Sequence, residues 1–171
     1  MPMIQTTEEI LDLVNEKDEV IGTMPRSEVY SQGLHNIRVV NCFIKNGDGK
    51  LWIPRRTSHK KIFPSALDFS AGGHVESKET YEEAFIKEAG EELNIDVTKT
   101  KYTILGTMNP HADNVGAFMT VYELESDEVP NFNSNDFTEY YWLTPLDLLQ
   151  KLESGDPAKT DILPVLKKFY L

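Results

Sequence analysis

The sequence predicts an α/β fold of the α+β kind: an α/β/α sandwich around a mixed β-sheet, preceded by an N-terminal β-hairpin. Three observations carry that prediction. Short β-branched, apolar runs bounded by turn residues recur along most of the chain. Helical spacing is confined to a few separate connections and does not follow every strand, which excludes a regular parallel βαβ array. A length of 171 residues supports one domain with a real core and is too short for two. A single domain over 1–171 is therefore expected.

The elements follow in order. Residues 1–9 read as a loose terminus. Ile10-Leu11-Asp12-Leu13-Val14 alternates and reads as a strand, 15–19 is a polar turn, and 20–24 is the returning partner. Pro25-Arg26-Ser27-Glu28 starts a short helix that Gly33 ends. The run 37–44 is apolar and β-branched, Asn46-Gly47-Asp48-Gly49 is a turn, and 50–55 returns; this is the strongest hairpin signal in the chain. The stretch 67–75 is extended and contains Gly72-Gly73. Residues 81–93 have helical spacing, 102–108, 117–124 and 139–143 read as strands, and 145–152 and 161–170 as closing helices. Between them, 127–136 holds Pro130 and three asparagines and reads as a loop able to gate a site.

The charge balance narrows the function. With 17 basic and 28 acidic residues the chain carries a net charge of −11, which excludes general binding of nucleic-acid polymers or anionic membranes. No apolar run is long enough to span a bilayer and no leader pattern opens the sequence, so the expected compartment is the cytoplasm. The single cysteine, Cys42, excludes an internal disulfide and any multi-cysteine metal site, and its apolar strand makes it a core residue.

One segment concentrates the acidity. Between Gly73 and Ile95 lie seven glutamates (Glu76, Glu79, Glu82, Glu83, Glu88, Glu91 and Glu92) against Lys78 and Lys87. Part of this serves the helix: Thr80 with Glu83 matches a capping box, and acids near a helix start suit its dipole. Glu88, Glu91 and Glu92 have no such excuse. They share an arc of about 100° next to the apolar arc of Phe85, Ile86, Ala89 and Leu93. Like charges three and four apart repel, and the C-terminal end of a helix disfavours anions. Hard carboxylate oxygens held together in this way suit a divalent cation such as Mg²⁺.

The spacing resembles the Nudix box, G-x5-E-x7-R-E-U-x-E-E-x-G-U with U a bulky aliphatic residue: Gly73, Glu79, Glu88, Glu91, Glu92 and Ile95 all fall on it. Lys87 stands in place of Arg, Ala89 is a small aliphatic, and Asn94 stands in place of the last Gly. The resemblance implies a Nudix fold and a Mg²⁺- or Mn²⁺-dependent hydrolase of a diphosphate joined to another group. It implies that Glu88 and Glu92 bind metal, that Glu91 assists, and that the carbonyl of Gly72 is a further ligand. Gly73, Glu79 and Lys87 become structural residues of the loop, with Glu79 bracing it. Catalysis falls to Glu88, Glu91 and Glu92. Glu91 is the first candidate for general base, with Asp113, Asp136 and Glu139 outside the box left open.

More of the chain, about 11–149, resembles the Nudix branch that contains isopentenyl-diphosphate isomerase. Leu13-Val14-Asn15-Glu16 through Met24-Pro25-Arg26, His35, Arg55-Arg56, Lys60-Lys61, Phe63-Pro64, Leu67-Asp68 and Tyr141-Trp142-Leu143 all have counterparts there. The isomerase's catalytic cysteine is absent, since its place is Gly72, and so is the glutamate pair, whose place is Asp113-Asn114-Val115-Gly116. His35 and His74 match isomerase metal-ligand positions but lack the remaining ligands. The basic run Arg55, Arg56, His59, Lys60 and Lys61 implies phosphate recognition, with Arg56, Lys60 and Arg55 as substrate-binding residues. Phe63 and Phe69 are candidates to stack on a base, although aromatics flanking a strand usually serve the core, as Trp142 does. The expected activity is cleavage of a diphosphate linkage in a nucleoside di- or triphosphate or derivative by water attack on phosphorus. The alternatives are an isopentenyl-diphosphate isomerase-like activity or a non-catalytic nucleotide-binding domain. The expected partner is a small-molecule diphosphate or nucleotide; a homodimer is left open.

Overall fold

A computed structural model describes residues 8–171. The loose terminus expected over 1–9 lies outside the described residues except for Glu8 and Glu9. Strands β1 (Ile10–Val14) and β2 (Val20–Pro25) pair antiparallel as a separate small sheet, and α1 (Arg26–Ser31) follows. Then come β3 (Arg38–Lys45), β4 (Leu51–Arg56), β5 (Ala71–His74), α2 (Tyr81–Leu93), a short 3₁₀ turn (Val97–Lys99), β6 (Tyr102–Met108), β7 (Phe118–Glu125), β8 (Phe137–Leu143), α3 (Pro145–Glu153) and α4 (Ile162–Phe169). The main sheet runs β6-β7-β3-β4-β8, with β5 also paired to β3. It is mixed: β3 and β7 are parallel and the other pairs antiparallel.

Side chains alternate across this sheet. One face carries Val40, Cys42, Ile44, Trp52, Tyr122 and Leu124 against Ala84, Phe85, Ala89 and Leu93 of α2. Phe85 stacks on Tyr122 with ring centroids 4.0 Å apart. The other face carries Phe43, Leu51, Ile53, Met119 and Val121 against Leu148 of α3 and Ile162, Val165 and Leu166 of α4. Helices therefore cover both faces, and the expected α/β/α sandwich is what forms.

The 46–49 turn forms as its residues demand. Asn46 Oδ1 accepts from the N–H groups of Asp48 and Lys50, and Gly49 takes a φ of 76°. The hairpin around it is not the regular one expected. β3 and β4 share only the Lys45–Leu51 pair, after which β4 follows β8 and β5 takes over the flank of β3. The buried Ser70 hydroxyl bridges the parting strands, accepting from Ile44 N–H at 2.8 Å and donating to Trp52 O at 2.6 Å. The end of β4 and all of β5 thus face one opening. Of the extended stretch 67–75, only Ala71–His74 joins the sheet as a strand, and β8 begins at Phe137, two residues before the expected start.

Candidate active site

The loop between β5 and α2 is held by one cation and one cap. Lys87 Nζ lies 2.7 Å from Glu76 Oε2 and 2.9 Å from Glu79 Oε1, and Glu79 Oε1 also accepts from Glu76 N–H at 2.8 Å. Lysine thus does the bracing expected of the box arginine, through two point contacts instead of a planar fork. Thr80 and Glu83 form the expected capping box. Asp12 of β1 reaches in, accepting from Ser77 Oγ at 2.8 Å. At the other end Asn94 is left-handed, with φ 54°, so the missing glycine is replaced by the residue best able to imitate it.

That frame sets the three glutamates, an acidic wall, in the lining of a cavity to which Arg26, Arg56, Lys60 and Lys159, with Glu9, Asp68 and Asp136 among them, contribute a basic one. Glu92 sits deepest and accepts from Gly72 N–H at 3.2 Å. Burial, and then the negative charge of Glu91, push the Glu88 carboxyl up to about 7. Glu92 is also pushed well up, by burial first and then by Asp68 and Glu88. Gly73 has no side chain because a Cβ there would overlap the Glu88 carboxyl group; a Cβ on Gly72 would collide with Asn41 Oδ1. Gly73 therefore lets Glu88 lie against β5, while Gly72 lets β5 pack closely on Asn41 of β3.

Do these residues fit a divalent cation? Among the described residues no group of three or more His, Cys, Asp or Glu side chains forms a ready-made metal cage. A closed cage is not what Mg²⁺ requires, because it commonly takes one or two carboxylates and completes its shell with water and substrate phosphate. Hard oxygens that repel one another in a shared cavity fit that chemistry. The two histidines that match isomerase ligand positions are already engaged by other groups. His74 Nε2 lies 2.6 Å from Tyr30 OH, and burial, with Arg26, Lys159 and Lys87 nearby, pushes its ring down to about 3. His35 Nδ1 is 2.9 Å from Gly116 O.

The basic run divides. Arg56 and Lys60 line the cavity, whereas Arg55 points to the opposite face, where it binds Glu139, Asp156 and Tyr141. His59 and Lys61 are absent from the cavity wall. Of the three base candidates outside the box, Asp136 lines the cavity and pairs with Lys60 at 2.7 Å. Asp113 instead accepts from Asn109 N–H, and Glu139 from Arg55.

Phe69 is buried against Phe43, and together with Phe63 it lines a second cavity of about 150 Å³ that shares Arg26, Arg56, Gly73, His74 and Lys159 with the first. Trp142 packs against the α2-side core. Cys42, distant in sequence from the glycine loop, is the register partner of Ala71, but its side chain is buried in the α2-side core and burial pushes its thiol far up. The structure adds Arg26, Asp68, Asn133 and Lys159 to the cavity. Arg26 and Asp68 lie in segments that carry the family resemblance, Asn133 lies in the 127–136 loop expected to gate a site, and no local pattern marks Lys159.

Comparison with known proteins agrees with this frame. Residues 35–166 match the NUDIX domain family model. An uncharacterized Nudix hydrolase of Nostoc sp. is 53% identical over 162 residues, covering 95% of this chain and 96% of that protein. A Nudix hydrolase of Deinococcus radiodurans is 46% identical over 164 residues, covering 96% and 95%. A crystal structure of a Deinococcus radiodurans protein superposes with a TM-score of 0.90 at 46% identity, covering 95% of this chain and all of that one. The likeness to an isopentenyl-diphosphate Delta-isomerase of Kocuria rhizophila is lower, at 26% over 157 residues, covering 90% and 87%. The chain belongs to the Nudix hydrolase family.

Proposed function

We propose that the chain is a divalent-metal-dependent hydrolase that cleaves a diphosphate linkage in a nucleoside di- or triphosphate or a derivative, by attack of water on phosphorus. In this reading it works as a single domain in the cytoplasm. The observation that supports it most is that the glutamate row and four cations line one cavity. Neither wall alone would suffice: the acidic wall repels a diphosphate, and the basic wall can bind one but has no means of activating water.

Glu88 and Glu92, with Glu91 and the Gly72 carbonyl, would hold Mg²⁺ or Mn²⁺. Bound there, the ion offsets phosphate charge and lowers the pKa of water toward about 7. Glu91, the exposed member of the row, takes the proton of the attacking water; Asp136, which lines the same cavity, is the alternative base. Arg56 and Lys60 hold the phosphate. The adjoining cavity, with Ile62, Phe63 and Phe69 in its wall, receives the rest of the substrate.

An isomerase reading needs a cysteine at the position of Gly72, and the one cysteine is in the core. The test is a panel of nucleotides, nucleotide sugars and dinucleoside polyphosphates assayed for phosphate or monophosphate release. Activity should require Mg²⁺ or Mn²⁺ and vanish with EDTA. Glu92→Gln should lower kcat by about a thousandfold, since a metal ion contributes several kcal/mol to such a step. Full turnover by that variant, or in EDTA, would overturn the assignment, as would conversion of isopentenyl diphosphate to its dimethylallyl isomer.

A further inference from the structure

Lys159 lies outside the acidic motif and outside the basic run, on the irregular segment between α3 and α4. Even so, its side chain stands at the junction of the two cavities and lines both. The segment that carries it is firmly built. Leu67 N–H donates to Pro157 O at 2.8 Å, Lys159 N–H donates to Leu67 O at 3.0 Å, and Leu67 forms a parallel bridge with Ala158. Just before this, Asp156 accepts two hydrogen bonds from Arg55, at 2.9 and 3.1 Å, and meets Lys151 at 2.9 Å. The neighbouring arginines of β4 therefore divide the work. Arg56 faces the cavity, and Arg55 holds the turn that delivers Lys159.

The four cations of the basic wall also differ in what they already bind. Lys60 donates to Asp136 at 2.7 Å. Arg56 donates to Asp68 and to the carbonyls of Ile62 and Phe63. Arg26 Nη1 donates to Glu9 at 3.4 Å. The Lys159 ammonium lies 3.3 Å from Asp68 Oδ1, an oxygen that already accepts from Phe69 N–H at 2.7 Å, and among the described residues it makes no hydrogen bond. Asp68 is buried, so it fixes this ammonium near the carboxylate row while leaving its donors for a ligand. An ammonium with three donors and no aligned acceptor, at the point where a metal-side cavity opens into an apolar one, suits a phosphate oxygen.

We propose that Lys159 is a substrate-binding residue whose ammonium takes the phosphate lying away from the glutamate row, and that Arg55 and Asp156 are positioning residues that set its place. The substrate class rests on the hydrolase reading above; the contact itself is tested without turnover. Methylenediphosphonate, whose P–C–P bridge resists hydrolysis, is titrated calorimetrically into the full chain with Mg²⁺ present.

Lys159→Met should weaken binding by about tenfold or more, the size of a lost charge-assisted hydrogen bond, and Lys159→Arg should restore most of it. Asp156→Asn should weaken binding by a smaller factor, about threefold, and should have no further effect in the Lys159→Met background, because residues acting through one contact are non-additive. Parent-like affinity in Lys159→Met, or no binding by the parent chain, would overturn the proposal. So would an Asp156→Asn effect of equal size in both backgrounds, which would mark Asp156 as structural only. Failure of the hydrolysis panel with these binding results intact would reject the hydrolase reading and leave Lys159 a diphosphate ligand.

Discussion

The two walls of the cavity are made in opposite ways. The acidic wall comes from one continuous piece: the glycines of β5 and two turns of α2 place Glu88, Glu91 and Glu92 by helix spacing alone. The basic wall is assembled from four places: Arg26 at the start of α1, Arg56 at the end of β4, Lys60 in the loop after it, and Lys159 before α4. Burial first, and then neighbouring carboxylates, make Glu88 and Glu92 uneasy as charges. The cations are each accompanied, by Glu9, Asp68 or Asp136. Under the proposed function, the crowded wall takes the cation and the paired wall exchanges partners with an incoming phosphate. Damage to the first should therefore appear in the chemical step, and damage to the second in binding.

The sharpest way to break that contrast is at Gly73. An alanine methyl group would occupy the place of the Glu88 carboxyl, the far end of a flexible side chain that can swing aside. The fold should survive with a small loss of melting temperature, while kcat falls by about a hundredfold because a carboxylate has left the row. The control is Gly90→Ala on the same helix, where a Cβ meets open space. It should leave kcat alone and add about 0.5–1 kcal/mol of stability. Equal kcat losses in both variants would remove the cradle argument.

A second test concerns the brace. Lys87→Met leaves Glu76 and Glu79 without their shared cation. The pair contacts are partly exposed, so the global stability cost should stay near 1 kcal/mol or less. The loop 75–80 should become a site of limited proteolysis, and kcat should drop about tenfold with KM little changed. Lys87→Arg should retain parent behaviour, since Arg carries the same charge on a longer reach. A KM effect without a kcat effect would place this lysine on the binding side of the comparison.

The same contrast explains what the sequence made legible. Glu88, Glu91, Glu92, Glu79 and the Thr80–Glu83 cap were readable because helix periodicity is a local code. The sandwich was readable from alternating apolar strands. The splay of β3 from β4 was not, because it depends on which distant strand competes for each flank, and both β5 and β8 lie far along the chain. The basic wall suffered most. Arg55 and Arg56 are neighbours in a strand, and period-2 alternation sends them to opposite faces; a cluster in sequence became two separate networks in space. Lys159 had no neighbours to mark it, since its place is set by backbone pairing to Leu67. Cys42 shows the converse, close to the glycine loop in the sheet yet turned into the core.

The smallest effect, and the most direct reading of the crowded wall, is in stability. Glu88 faces Glu91 and Glu92 on its own helix and Glu9 from the N-terminal segment, with Lys87 as the cation acting on it. Its carboxyl loses its proton near 4.5 in the unfolded chain and near 7 in the folded one. Between those values the folded state binds the extra proton, so this carboxyl's contribution to stability is full below about 4.5 and is lost as pH rises through about 7. Glu92 acts in the same direction. Under the proposed function, a divalent cation held by the ionised row should reverse the loss. Thermal melts with and without Mg²⁺ should therefore show a rise of a few degrees at pH 8 and almost none at pH 5, and Glu88→Gln should flatten the metal-free profile. Equal Mg²⁺ stabilisation at both pH values would mean that the ion sits away from these carboxylates.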